Sequence, residues 1–182
     1  AKITFAVMPE VADYFPKNKV AWTGQPIRAE IENPASKKEA LEYFKMESDL
    51  PVVLVLGGSQ GAELINNTIL DALPRLLSNY QVIHQTGVLN FETVKGQAEV
   101  ILADHKDKLR YFSIPFLNPL TLRMASGAAT IAISRAGSML FEIASWGIPS
   151  ILIPITNTNL DHQKKNAFNY ARFGACIVVE EM

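Results

Sequence analysis

Apolar residues along this chain come in short runs, each followed by a stretch in which they recur every three or four positions. Pro51-Val52-Val53-Leu54-Val55-Leu56 is an unbroken apolar run that stops at Gly57-Gly58. A run without alternation suits a strand covered on both faces, as in a parallel sheet. Behind it Leu64, Ile65, Ile69, Ala72, Leu73 and Leu76 fall at helical spacing. The pattern then repeats. Residues 80–84 read as strand, 91–102 as helix, and 109–114 as strand. Asn118-Pro119 opens a short helix, since proline suits a first helical turn. Residues 129–133 read as strand, and 138–146 as a helix closed by Gly147. Residues 150–153 read as a strand, Asp161 as the cap of a helix that runs to Arg172 and is closed by Gly174, and 175–179 as a last strand. Upstream, Ser36 is placed as an N-cap for a polar helix over 37–46. Residues 3–7 and 19–22 are strand-like with no clear helix between them, so 1–30 reads as a lead-in and 31–182 as the domain proper. Strand–helix alternation of this length predicts an α/β fold, a doubly wound, mainly parallel, Rossmann-like sheet with helices on both faces.

Composition narrows the class. The 182 residues suffice for one domain with its own core, and 48% hydrophobic against 19% charged excludes a disordered chain. Lys plus Arg number 17 and Asp plus Glu 18, so the basic excess that holds nucleic-acid phosphates is missing, and no nucleic-acid partner is expected. The single cysteine, Cys176, allows no internal disulfide and no cysteine-based zinc site. The longest apolar run, residues 147–155, is too short to span a bilayer and contains two prolines, Pro149 and Pro154. The N-terminus has neither the length nor the cleavage site of a signal peptide. It also lacks Met and starts in strand-like sequence, so the chain reads as a piece of a longer protein.

In a doubly wound sheet, ligands bind beyond the carboxyl ends of the strands. The turn Gly57-Gly58-Ser59-Gln60-Gly61 joins an apolar strand to an amphipathic helix. Glycines let backbone approach a ligand closely, and the following helix start offers free N–H groups to an anion. This suits a phosphate or diphosphate more than the alternative, a plain tight turn. The same residues fit G-x-S-x-G, the nucleophile elbow of α/β-hydrolases, with Asp104 and His162 following in the right order. Against that rival, few strands lie upstream, His162 opens a helix, and no HGGG-type oxyanion segment exists.

The turn Ser134-Arg135-Ala136-Gly137-Ser138, with Met139 and Glu142 on the next helix, is the second strand-to-helix turn of note. A carboxylate near such a turn can accept from ribose hydroxyls. Taken alone, Glu142 is better read as a solvated helix position or a partner for Arg135. Asp161, His162, Gln163 and Asn166 cluster at a helix start, where they could read sugar hydroxyls or simply cap the helix. His84 and His105 are assigned structural or surface roles, and Phe112, Phe116 and Trp146 are assigned to the core. There is no Asp-x-Asp pair, no H-E-x-x-H and no P-loop motif, which excludes those metal–nucleotide, zinc-protease and ATPase readings.

One combination is more specific than its parts. Gly24-Gln25-Pro26-Ile27-Arg28, Val55 to Gly61, Ser134 to Ser138 with Glu142 and Gly147-Ile148-Pro149, and Asp161-His162-Gln163 with Asn166-Ala167 follow in this order. The set resembles the C-terminal half of the MurG family, bacterial transferases that add N-acetylglucosamine to the undecaprenyl-linked muramyl-pentapeptide, lipid I, to make lipid II. Two departures stand out. Gln25 sits where the family usually has Asn, and the Arg135–Glu142 stretch is one residue shorter than in many members.

The resemblance implies one half of a GT-B fold, binding UDP-N-acetylglucosamine, with no cofactor and no resident metal. It implies that Arg28 and the Gly58–Gly61 turn, through Ser59, contact the diphosphate, and that Leu117 sits at the uracil. Glu142 would hold the ribose, with Gly137, Ser138 and Met139 beside it, and Gln163 would read the sugar, flanked by Asp161 and His162. It places the acceptor site, the catalytic base and a membrane-facing patch on an N-terminal domain upstream, and further helices after Met182. This gives an inverting enzyme, peripheral at the cytoplasmic face of the inner membrane, whose donor-binding fragment is inactive alone. A separate subunit of a two-chain transferase, a non-catalytic nucleotide-sugar module and the hydrolase remain as alternatives.

Overall fold

The computed structural model describes residues 2–7, 12–58, 62–155 and 162–181. Strands β1 (Thr4–Ala6) and β2 (Val20–Trp22) pair in parallel as a small sheet of their own. The main sheet holds β3 (Val52–Leu56), β4 (Gln81–Gln85), β5 (Tyr111–Ile114), β6 (Ile131–Ser134), β7 (Ser150–Leu152) and β8 (Cys176–Val178). Its order is β5-β4-β3-β6-β7-β8 and every pairing is parallel. The helices are α1 (Lys37–Phe44), α2 (Glu63–Leu76), α3 (Phe91–Ile101), α4 (Pro119–Ala128), α5 (Met139–Ser145) and α6 (His162–Ala171).

The unbroken apolar run is the central strand. All five residues of β3 are buried, because alternate side chains feed two different cores. Val52, Leu54 and Leu56 pack with Ile31, with Ala40, Leu41 and Phe44 of α1, and with Leu122 and Ala125 of α4. Val53 and Val55 pack on the opposite face with Ile65, Ile69 and Leu73 of α2 and Val94 and Ala98 of α3. The strand therefore carries helices on both faces, as a doubly wound sheet requires.

Local chemistry fixes the helix starts. The Glu39 N–H donates to the Ser36 hydroxyl while the Ser36 N–H donates to the Glu39 carboxylate, a reciprocal capping box on α1. Lys45 then ends the helix in the left-handed region at φ 55°. Asn118 accepts from the Thr121 N–H at 2.9 Å and Pro119 occupies the first turn of α4. The helix-spaced Leu64 proves half-exposed on the outer side of α2 rather than part of the core.

Candidate functional site

The chain reverses direction of winding at β3, whose neighbours are β4 on one side and β6 on the other. This switch point leaves the loops after β3 and β6 diverging, and a cleft of about 490 Å³ opens above it at the carboxyl edge. Leu56, Gln85 and Ser134, the last residues of β3, β4 and β6, form part of its lining.

Seven residues singled out from the sequence meet in this cleft: Arg28, Gly58, Leu117, Gly137, Ser138, Met139 and Glu142. They come from chain segments more than a hundred positions apart. Gly58 has φ 81°, a conformation that favours glycine, and a Cβ on Gly57 would meet the Gln85 carbonyl oxygen at 3.1 Å. The first turn after β3 thus needs both glycines, the second for its dihedral and the first for its contact. Ser59, Gln60, Gly61 and Asp161 lie outside the described residues.

Two expected site residues are elsewhere. His162 is exposed at the start of α6, and the Gln163 Oε1 accepts the Ile155 N–H at 3.2 Å. Neither lines the cleft. Asn166 is also occupied, since its amide donates to the Ala136 carbonyl at 3.2 Å and ties α6 to the turn after β6.

The charge pattern corrects one sequence expectation. Glu142 does not pair with Arg135. Its two oxygens accept from Arg28 Nε at 2.8 Å and Nη2 at 3.0 Å, a bidentate fork. The pair is lopsided, with the Arg28 side chain 45% exposed and that of Glu142 11%. This bond raises the Arg28 pKa, so the guanidinium stays charged. Arg135 instead pairs with Glu181 and donates to the Ile153 carbonyl at 3.0 Å. The reason is topological. Gly24 and Gln25 line a pocket together with Leu140, Phe141 and Ala144 of α5, and Arg28 reaches Glu142 on the same helix, while Arg135 turns to Ile153 and Glu181.

Phe116 is a second correction. It is 49% exposed and lines the cleft, whereas its neighbour Leu117 takes the buried position. Phe112 and Trp146 do pack against the core, and the Trp146 Nε1–H donates to the Ile31 carbonyl at 2.7 Å. His84 is fully buried. Its ring nitrogens lie 2.9 Å from the Tyr111 hydroxyl and 3.0 Å from Asn66 Oδ1, and burial pushes its pKa down to about 4. Because the amide oxygen can only accept, Nε2 carries the proton and Nδ1 accepts from the tyrosine. His105 is likewise structural, within 3.0 Å of the Pro74 carbonyl.

The hydrolase alternative fails on topology. Asp104 sits between α3 and β5, at the amino edge of a wholly parallel sheet. The turn after β3 is at the carboxyl edge, so these cannot form one triad. What the cleft offers is a cation, a buried carboxylate, a glycine turn and backbone groups near Leu117, a set suited to binding a polar, anionic ligand.

Gln85, Ser134 and Phe116 are cleft residues that the sequence reading did not assign to the site. A polar residue ending an otherwise apolar strand was the available signal for Ser134, whereas Gln85 ends a strand with polar residues at Gln81 and His84 too, so it carried no such signal.

Residues 52–182 match the family model described as the glycosyltransferase family 28 C-terminal domain. A protein of Amoebophilus asiaticus is 37% identical over 171 residues, which cover 92% of this chain and 45% of that protein. One of Flavobacterium psychrophilum is 38% identical over 171 residues, covering 92% and 44%. Both are named UDP-N-acetylglucosamine–N-acetylmuramyl-(pentapeptide) pyrophosphoryl-undecaprenol N-acetylglucosamine transferase. The chain thus spans a little under half the length of these curated relatives. Among solved structures, Acinetobacter baumannii MurG superposes with TM-score 0.65 at 25% identity, over 91% of this chain and 45% of that one. With the model running from the central strand onward, the chain belongs to glycosyltransferase family 28 and carries that family's C-terminal domain.

Proposed function

We propose that this chain is the donor-binding part of an inverting glycosyltransferase that moves N-acetylglucosamine from UDP-N-acetylglucosamine to lipid I, giving lipid II for peptidoglycan. The observation that carries this reading is the meeting of Arg28, Gly58, Leu117 and Glu142 in one cleft at the switch point of the sheet.

In this reading the diphosphate lies against Arg28 and the turn after β3, with Ser59 donating. Arg28 commits Nε and Nη2 to Glu142, and no described residue accepts from its Nη1, which leaves that donor for an anion. Glu142 holds the ribose hydroxyls, and Leu117 sits at the uracil. The resemblance assigns the sugar to Gln163, with Asp161 and His162, although neither Gln163 nor His162 lines the cleft. The acceptor hydroxyl attacks the anomeric carbon in a single displacement, the diphosphate leaves, and configuration inverts. Arg28 and the N-terminus of α2 stabilise the charge that develops on the leaving group.

Residues 1–30 act as the lead-in from an N-terminal domain that supplies the acceptor site and the base, and 31–182 form the nucleotide-sugar domain. The whole protein works at the cytoplasmic face of the membrane as a peripheral enzyme. Among the described residues no helix is long and apolar enough to cross a membrane.

A titration of this chain with UDP and ADP tests the reading. UDP is expected to bind weakly, with chemical-shift changes around Leu117 and Glu142, and to be preferred over ADP. Equal binding of the two, or shifts confined elsewhere, refutes it. Turnover of UDP-N-acetylglucosamine with a lipid I analogue by this chain alone would contradict the placing of the base upstream.

A further inference from the structure

We propose that Gln85 is a specificity-determining residue of the donor site, reading the base through its side-chain amide. The proposal rests on the uridine-diphosphate reading of the cleft and deepens it.

Gln85 ends β4 and is only 4% exposed, yet it lines the cleft. It lies one residue from His84 and faces the opposite side of the sheet, beside Ile83's core rather than the α2 core. Its carbonyl accepts the Gly57 N–H at 3.2 Å, which fastens the glycine turn to β4. Its side-chain Oε1 accepts the Leu117 N–H at 3.4 Å, which fastens the segment before α4. One residue therefore braces both the diphosphate side and the base side of the site.

The orientation of the amide follows from chemistry. A backbone N–H can only donate, so the oxygen of the Gln85 amide faces Leu117 and the NH₂ faces away from it. No described residue accepts from that NH₂. A buried glutamine in a cleft wall with its oxygen pinned and its nitrogen unpartnered presents a fixed donor. No described residue donates to the Leu117 carbonyl, which supplies an acceptor on the same wall. A donor beside an acceptor matches uracil, which offers a ring carbonyl next to N3–H. Cytosine offers the reverse pattern, an amino group next to an unprotonated ring nitrogen. A site built to hydrogen-bond one pattern rejects the other, because its own buried polar groups are then left unpaired.

Calorimetric titration of the chain with UDP and with CDP tests this. The unaltered chain is expected to prefer UDP. In Gln85→Glu one oxygen keeps the Leu117 N–H while the donor becomes an acceptor. The UDP-to-CDP preference is then expected to fall by about tenfold, the value of one or two such hydrogen bonds. The added charge opposes both diphosphates equally, so it cancels in the ratio. Gln85→Met, which keeps the side-chain length without either polar group, covers the case in which the glutamate variant does not fold, and is expected to lower the preference by a smaller factor. An unchanged ratio in the variants that fold, with UDP still bound by the unaltered chain, overturns the role of Gln85 alone. No UDP binding by the unaltered chain overturns the donor-site reading and this proposal with it.

Discussion

The Arg28–Glu142 fork predicts that its two ends are unequal. Removing Glu142 by Glu142→Gln leaves a guanidinium that is already 45% exposed and can rehydrate, and the amide oxygen still accepts one bond. The loss should resemble that of a surface pair, about 1 kcal/mol or less. Removing the cation by Arg28→Met leaves a carboxylate only 11% exposed, with no other cation among the described residues against it. A fully buried charge stripped of its partner costs about 3–5 kcal/mol. Glu142 retains some contact with water, so about 2–3 kcal/mol is expected. For a chain of this size 1 kcal/mol corresponds to about 2–4 °C in Tm. Arg28→Met should therefore lower Tm by about 4–12 °C, and Glu142→Gln by no more than about 4 °C. The double variant should fall well short of the sum, since the partners are in contact. Thermal melts of the three variants in one buffer make the comparison. Equal losses, or a larger loss for Glu142→Gln, would show that the difference in burial does not govern the energetics of this pair.

Glu142→Gln should also weaken UDP binding by about 5- to 30-fold, as expected from losing about 1–2 kcal/mol of charge-assisted hydrogen bonding, and an unchanged titration removes Glu142 from the ribose. Burial holds His84 neutral with a pKa near 4, against 6.5 for the free side chain. The unfolded chain therefore takes up a proton first as pH falls, so this stabilising contribution is complete above about 6.5 and lost progressively down to about 4, by up to about 3 kcal/mol. Urea melts from pH 7 to pH 4 should show that slope reduced in His84→Gln, and an identical slope refutes the assignment. Gly127 packs so closely that a Cβ there would clash with the Ala35 carbonyl oxygen, so Gly127→Ala should cost about 1–3 kcal/mol by forcing α4 away from the segment before α1, whereas an unchanged Tm would mean that contact is not maintained. An activated fluorophosphonate should not label Ser59, and a stoichiometric adduct lost in Ser59→Ala would restore the nucleophile elbow.

The order of strands and helices was legible in the sequence because it depends on short-range pattern. The run Val52–Leu56 announces a strand buried on both faces, Ser36 announces a helix start, and Asn118-Pro119 another. The glycine turns and Glu142 stood out as candidates by their place after a strand, and the structure brings Gly58, Gly137 and Glu142 to one cleft. Which side chains meet was not legible. The partner of Glu142 lies 114 positions away on the lead-in, not seven positions away at Arg135, and only the path of residues 24–28 over α5 decides between them. Phe116 and Leu117 are adjacent apolar residues with the same local pattern, and their opposite fates follow from where the segment before α4 meets the sheet. Gln85 fell just beyond the strand read over 80–84, and became part of the site only when β3 and β4 brought its amide to Leu117 and its carbonyl to Gly57. Periodicity encodes which face of an element is apolar, a property of neighbours in sequence. A binding cleft is set by contacts between distant segments, and those are fixed only when the sheet closes its order around the switch point.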